Sequence, residues 1–197
     1  MSADTVGVVA AWVLSAQPTL GSGRLVCVDG PAGSGKTTWA GALVECLRDA
    51  GATVQVVHMD DVYAGWAGLK HGMATFAESV VDPLRAGGTG RYRRYDWELG
   101  DYAEEHEVPP CDVLVVEGVG SGAATYDDAI TCLVWVEAPR DLRLARGLAR
   151  DGESMRQHWL SWRLEEDAMF DRERTEARAD LAVDGETGSF APPVRTR

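Results

Sequence analysis

Eight consecutive residues constrain this chain more than any other feature. The run GPAGSGKT from Gly30 to Thr37 fits the pattern GxxxxGK[ST], whose backbone N–H groups surround phosphate groups. Its glycines allow conformations that are closed to residues with a Cβ, so successive N–H groups can point at an anion. An apolar run precedes the motif and a helical pattern follows it, which is the order such a loop requires. The sequence therefore predicts a nucleotide-binding protein.

The loop assigns a role to each of its residues. Lys36 is one of only two lysines in a chain rich in arginine, and it is expected to reach the β and γ phosphates of ATP. The Thr37 hydroxyl is expected to ligate Mg²⁺. The full set of residues predicted to bind the nucleotide from this segment is Gly30, Ala32, Gly33, Ser34, Gly35, Lys36, Thr37 and Thr38.

The composition restricts the classes of molecule that the chain can bind. The chain has 19 Lys and Arg against 31 Asp and Glu, a formal net charge of −12, which argues against broad affinity for nucleic acid or anionic membranes. The apolar segment from Thr5 to Leu14 has no basic region before it and is too short to span a bilayer, so we predict a surface helix rather than a signal or an anchor. A cytoplasmic location follows as an expectation. The four widely spaced cysteines predict reduced, mostly buried thiols.

Apolar runs alternate with helical patterns along the chain. The alternation predicts one α/β domain over residues 1–184, with a five-stranded, mostly parallel sheet and helices on both faces. We expect the segment 86–110 to be a long irregular loop, and residues 185–197 to be a flexible tail. The predicted strands are Arg24–Asp29, Thr53–His58, Asp112–Val116, Thr131–Val136 and Leu181–Val183.

Acidic residues follow two of these strands. Ligands of open parallel sheets bind beyond the carboxyl ends of the strands, so Asp60, Asp61 and Glu117 should converge on the phosphates. Glu117 is placed to ligate Mg²⁺, and Asp60 to deprotonate an acceptor hydroxyl or to contact the metal. One of the two neighbouring aspartates could instead cap a helix, so the choice of base between them stays open.

Several motifs of this sequence together resemble those of a known protein family. The phosphate loop, the residues Asp60 to Tyr63, the triplet Tyr95-Asp96-Trp97, the segment VVEGV and the run from Arg143 to Asp151 occur in the order seen in one family. Together they resemble the uridine kinase and phosphoribulokinase family of P-loop kinases. The resemblance implies a three-layer P-loop NTPase fold with a small helical lid at about residues 140–156.

The resemblance also implies residue roles. Asp60 would be the catalytic base, and Lys36, Arg146 and Arg150 would assist catalysis, with Arg143 beside the nucleotide. The arginines share one helix face, from which they could neutralise the transferred phosphoryl group; a solvated basic face is the alternative. The residues expected to contact the acceptor are Asp60, Tyr63, Tyr95, Asp96 and Trp97.

Two departures from the family pattern concern the acceptor. Tyr63 is followed by AGWAGL instead of an acidic segment, and the lid after Asp151 is shorter than in the family. Within the lid motif, Gly147 stands where the family usually has a second arginine. Either another residue such as Asp96 holds a sugar, or the acceptor is not a nucleoside. The aromatic residues Trp66, Tyr92, Tyr95 and Trp97 either stack on a base or seal the fold. On the helix after the lid, Trp159, Trp162 and Phe170 are expected in the core. Glu166 lies on the same stripe and is noted as a group that could support the site without touching the ligand.

The favoured function is ATP-dependent, Mg²⁺-assisted phosphoryl transfer to the hydroxyl of a small acceptor, with a nucleoside as the leading class. A nucleoside monophosphate is the alternative acceptor, because Arg91, Arg93 and Arg94 could bind its phosphate. Another metabolite is also open, as is a non-catalytic ATP-binding switch. A guanine-reading NKxD motif is excluded, since the chain contains no Asn. Self-association is left open.

Overall fold

The computed structural model describes residues 3–191. Its strands are β1 Arg24–Asp29, β2 Val54–His58, β3 Gly90–Asp96, β4 Asp101–Val108, β5 Val113–Glu117, β6 Ile130–Glu137, β7 Leu181–Asp184 and β8 Phe190–Ala191. Its α-helices are α1 Ala3–Ser15, α2 Lys36–Asp49, α3 Leu69–Phe76, α4 Asp82–Arg85, α5 Arg140–Asp151, α6 Arg156–Glu173 and α7 Thr175–Arg178. A π-helical turn, Ala77–Val81, joins α3 to α4.

The main sheet has the strand order β2-β5-β1-β6-β7-β8. Its first five strands are parallel, and β8 adds a two-residue antiparallel edge to β7. Every residue of β5 is buried, as are all but the first of β1 and all but the last of β6, which is expected of parallel strands covered on both faces. The predicted parallel sheet of five strands is confirmed.

Helices cover both faces of this sheet. On one face, Val9 and Val13 of α1 and Leu43 and Leu47 of α2 pack against apolar side chains of β1, β5 and β6. This confirms the predicted N-terminal surface helix. The other face is covered by α3, α4 and α6. Within residues 3–191, none of the helices combines the length and the apolar character needed to cross a bilayer. All four cysteines are free thiols.

The segment 86–110 corrects one prediction, because most of it is an antiparallel hairpin of β3 and β4 instead of an irregular loop. Its alternating charged and aromatic residues form cross-strand pairs, which are the stabilising units of such a ribbon. Arg91 contacts Glu107 at 2.7 Å, and Tyr92 stacks on His106. The high charge of the two strands obscured their alternation in the sequence.

The C-terminal segment also has more structure than expected. Residues 185–191, predicted to belong to a flexible tail, form a turn followed by β8. The Asp184 carboxylate caps this turn by accepting hydrogen bonds from the N–H groups of Glu186 and Thr187. Residues 192–197 lie outside the described residues.

Gly147 marks the contact between α5 and α6. A Cβ at this position would lie 2.3 Å from the Trp159 ring, which is too close for any side chain. Trp159 is itself fixed by a hydrogen bond from its indole N–H to Asp151 at 2.9 Å. The packing therefore gives a physical reason for a glycine at position 147.

We predict that Gly147→Ala destabilises the protein by about 1–3 kcal/mol, because the added methyl group overpacks the helix contact. The matched control is Gly41→Ala in α2, where no atom lies within 4 Å of the added Cβ. Removal of an exposed mid-helix glycine should stabilise the protein by about 0.5–1 kcal/mol. Urea denaturation measures both values, and a Gly147→Ala variant as stable as the wild type would contradict this packing.

Candidate functional site

The phosphate loop lies between β1 and α2. Gly33 and Gly35 have φ values of 78° and 104°, in the left-handed region that favours glycine. Helix α2 begins at Lys36, so its N-terminal N–H groups and the positive end of its dipole face the loop. The Lys36 ammonium is buried and donates a hydrogen bond to the Pro31 carbonyl at 2.9 Å. The segment thus has the form of an anion-binding site, as the motif predicts.

A cavity of about 580 Å³ opens beside this loop, at the carboxyl ends of β2 and β5. One wall is the loop and the start of α2, and the opposite wall consists mainly of tryptophan rings. Charged side chains lie between the two walls, so the cavity joins a phosphate site to an aromatic site. Its charged and aromatic lining residues are Lys36, Asp60, Asp61, Trp66, Trp97, Glu117, Arg146, Arg150, Asp151, Trp159 and Trp162.

Glu117 lies directly beside the phosphate loop. The Thr37 hydroxyl is 3.2 Å from both of its carboxylate oxygens, and His58 Nδ1 is 2.6 Å from one of them. Burial raises the pKa of Glu117, but the bond from His58 and the charge of Lys36 outweigh it, so the pKa is lowered and the group is ionised. Hydroxyl and carboxylate oxygens are ligands that Mg²⁺ prefers, so the Thr37–Glu117 pair fits this ion.

Asp60 and Asp61 lie in a 3₁₀ turn that directly follows β2. Asp60 is exposed and lines the cavity, where desolvation by the surrounding protein raises its pKa although the charge of Lys36 opposes the shift. Burial also raises the pKa of the half-buried Asp61. Among the described residues, no hydrogen bond or ion pair engages either carboxylate. Both are therefore available to a ligand in the cavity.

Three arginines of α5 have different surroundings. Arg146 donates to the carbonyls of Gly33 at 3.2 Å and Gly185 at 3.3 Å, so it joins the phosphate loop to the turn after β7. Arg150 is exposed to the cavity and pairs with Asp151 at 2.6 Å. Arg143, which was predicted to contact the nucleotide, is buried at 5% exposure and lies outside this cavity. Helix α6 packs over Arg143, in the first turn of α5, whereas Arg146 and Arg150 line the cavity.

The predicted acceptor residues divide in the same way. Trp97 lines the cavity, and its indole N–H donates to the Asp60 carbonyl at 2.9 Å. Tyr63 is fully buried, donates its hydroxyl proton to the Val119 carbonyl and packs on Trp162, so it does not reach the cavity. This burial contradicts its prediction as a substrate contact.

Tyr95 and Asp96 also support the hairpin and do not line the cavity. The Asp96 carboxylate accepts the N–H groups of Glu98 and Leu99, both at 3.0 Å, and thereby caps the turn between β3 and β4. The Tyr95 ring packs edge-on against Trp97 at 5.5 Å. Tyr95 and Asp96 were predicted to contact the substrate directly. The structure instead shows that they support the hairpin and Trp97, which does line the cavity.

Trp66 is the centre of the aromatic wall. Its ring lies 5.4–6.3 Å from those of Trp97, His158, Trp159 and Trp162. The tryptophans of α6 are buried, as expected, but they line the cavity as well. Tyr92 of β3 instead belongs to the buried core and stacks on His106 of β4.

The three arginines of β3 form hydrogen bonds and ion pairs within the hairpin. Arg91 and Arg94 pair with Glu107 and Glu104, both at 2.7 Å, and Arg93 donates to two carbonyls of β4. None of the three lines the cavity.

No protein-family model and no curated protein sequence matches the chain. Solved structures do match. A protein of Bacillus stearothermophilus, provisionally assigned as a uridine kinase, is 22% identical, with a TM-score of 0.67 over 91% of this chain and 97% of that chain.

Two further solved structures have other assigned substrates. A Silicibacter protein, provisionally assigned as a fructose transport system kinase, is 21% identical, with a TM-score of 0.59 over 96% of this chain and 97% of that chain. D-glycerate 3-kinase from Cryptococcus neoformans is 15% identical, with a TM-score of 0.61 over 95% of this chain and 98% of that chain. The chain has the fold of a P-loop kinase.

In this P-loop kinase fold, a fully buried Asp29 connects the phosphate loop to the segment after β5. One carboxylate oxygen accepts the N–H groups of Gly30 at 2.7 Å and Gly120 at 2.8 Å, and the other accepts that of Gly122 at 2.8 Å. Burial raises the pKa of Asp29 to about 6, although these bonds and Lys36 oppose the shift. The sequence analysis did not identify Asp29. The one indication in the sequence was an acidic residue at the end of an apolar strand.

The raised pKa of Asp29 predicts a pH-dependent stability. The folded protein binds this proton more tightly than the unfolded chain, so the contribution of Asp29 to stability falls as the pH rises. Asp29→Asn removes the titration. We expect the free energy of unfolding of the wild type, minus that of the variant, to fall by about 2 kcal/mol between about pH 4 and pH 7. Urea denaturation tests this, and a difference that is constant or rises with pH would contradict it.

Proposed function

We propose that the protein transfers the γ-phosphoryl group of ATP to a hydroxyl group of a small acceptor, with a nucleoside as the leading acceptor class. One observation carries the proposal: the phosphate loop and the Asp60 carboxylate face the same cavity, whose far wall is aromatic. A nucleotide-dependent switch needs no such second compartment. The likeness to solved kinases supports the proposal through the fold.

The donor would bind with its phosphates in the loop. The loop N–H groups, Lys36 and Arg146 would contact the phosphates. A neighbouring cavity of about 380 Å³ lies on the other side of Arg146, lined by Thr38, Trp39 and the turn after β7. The nucleoside part of ATP would lie there, which supports the expected role of Thr38 in nucleotide binding.

Thr37 and Glu117 would hold Mg²⁺, with Asp60 as the next carboxylate in the cavity. When bound, the ion neutralises phosphate charge. Within residues 3–191, no group of three or more His, Cys, Asp or Glu side chains forms a metal cage. Water and phosphate oxygens would therefore complete the ligand set, as is usual for Mg²⁺.

Asp60 would act as the general base. Its raised pKa brings its proton affinity closer to that needed near neutral pH, and its carboxylate has no partner among the described residues. The acceptor oxygen would attack the γ-phosphorus, its proton would pass to Asp60, and ADP would leave. Arg146 and Arg150 would neutralise charge on the transferred group, while the tryptophan wall excludes water.

The lining of the cavity supports an acceptor without a phosphate group. Arg91, Arg93 and Arg94, which could have bound an acceptor phosphate, are engaged within the hairpin. The rings of Trp66 and Trp97 suit stacking on a flat group. Asp61 is available for neighbouring hydroxyl groups in place of Asp96, which caps the hairpin turn.

A panel of acceptors tests the function. Wild-type protein with MgATP is incubated with uridine, cytidine, their monophosphates, fructose and D-glycerate, and the phosphorylated products are measured. We expect product from a nucleoside and none from the monophosphates. If only fructose or D-glycerate is phosphorylated, the protein is a kinase but its acceptor is not a nucleoside. If ATP is hydrolysed at the same rate with and without every acceptor, the proposal of a kinase is wrong.

Two neighbouring carboxylates provide the matched control for that panel. With the best acceptor, Asp60→Asn should lower kcat by a factor of about 10²–10⁴ and leave ATP affinity almost unchanged, because it removes the base. Asp61→Asn should mainly raise the KM of the acceptor. The reverse pattern would assign the base to Asp61.

A further inference from the structure

Glu166 is a fully buried carboxylate that the proposed reaction does not use. Its side chain, on α6, is 0% exposed. One carboxylate oxygen accepts the N–H of Ala32 in the phosphate loop at 2.9 Å, and the other accepts a hydrogen bond from Arg143 at 3.1 Å. A buried carboxylate is costly unless both its charge and its oxygens are satisfied. Here both are satisfied by groups that belong to two other parts of the site.

Arg143 compensates the charge of Glu166. It is buried at the start of the lid helix α5, and its Nε donates to the Ala138 carbonyl at 3.0 Å. Glu137 is a second acidic neighbour at 3.4 Å. The guanidinium group is therefore held by protein groups on several sides, which explains why it is unavailable to the nucleotide. Its partner Glu166 connects α6, the lid helix and the phosphate loop.

The bond to Ala32 fixes one end of the phosphate loop. Ala32 lines the cavity, between Pro31, whose carbonyl accepts from Lys36, and Gly33, whose carbonyl accepts from Arg146. Its N–H is committed to Glu166, so the N–H groups left for phosphate lie further along the loop. Without an acceptor on α6, this N–H would be unsatisfied and the loop could rearrange around it.

We propose that Glu166 is a positioning residue, which holds the phosphate loop in its ATP-binding conformation through the hydrogen bond to Ala32. This inference rests on the proposed use of ATP. Arg143 has a separate role, because it neutralises the carboxylate but makes no contact with the loop amide. A purely structural ion pair, which only packs α5 on α6, would have no effect on ATP affinity beyond its effect on stability.

Two double variants separate these roles. Arg143→Met with Glu166→Gln removes both charges and keeps an oxygen that can accept the Ala32 N–H. Arg143→Met with Glu166→Met also removes both charges and has a side chain of similar length, but it lacks that acceptor. Neither variant contains an unpaired buried charge from this pair, so the two differ mainly in one hydrogen bond.

The affinity for MgATP is measured by calorimetry for both variants and the wild type, at a temperature where unfolding curves show all three to be folded. We expect the Met variant to bind MgATP about tenfold more weakly than the Gln variant. Affinities within a factor of two, or tighter binding by the Met variant, would overturn the inference while the proposed function stands. Wild-type protein that bound no MgATP would overturn both.

Discussion

One buried ammonium group, that of Lys36, acts on five acidic side chains in and around this site. Burial raises the pKa values of five carboxylates, which come from β1, β6, α6 and the ends of β2 and β5, and the charge of Lys36 opposes that rise in each of them: Asp29, Asp60, Glu117, Glu137 and Glu166. Three of the five nevertheless have side chains that are almost fully buried, where a negative charge is costly. Lys36 is therefore the cation that these five carboxylates share, in a chain that contains only two lysines.

The same arrangement explains how so acidic a protein could bind a polyphosphate. The net charge of −12 disfavours any broad attraction, so binding must come from groups at short range. Those groups are the amides at the start of α2, Lys36, and the two arginines of α5 that line the cavity, Arg146 and Arg150. Asp29 and Glu166 bond to amides on the edges of the loop, which fixes the conformation that presents the remaining amides.

The sequence predicted the parts of the molecule that depend on neighbouring residues. The phosphate loop, the parallel strands, the N-terminal helix and the convergence of Asp60, Asp61 and Glu117 follow from local patterns and from one rule about strand ends. The hairpin was missed because charged and aromatic pairs such as Arg91 with Glu107 and Tyr92 with His106 join its strands, and no apolar alternation marks them in the sequence. Tyr63 and Arg143 were misplaced because distant elements bury them. Nothing in a local pattern indicates that Glu166 meets a loop 134 positions away.

The most direct measurement of the central claim is the affinity for MgATP of the wild type and of Lys36→Met, by calorimetry at the same ionic strength. If one ammonium group offsets the carboxylates and binds the phosphates, the wild type binds MgATP, and the variant, which remains folded, loses at least about a hundredfold in affinity. Equal affinities in two folded proteins would contradict the account, because the phosphates would then be bound without the cation around which the site is arranged.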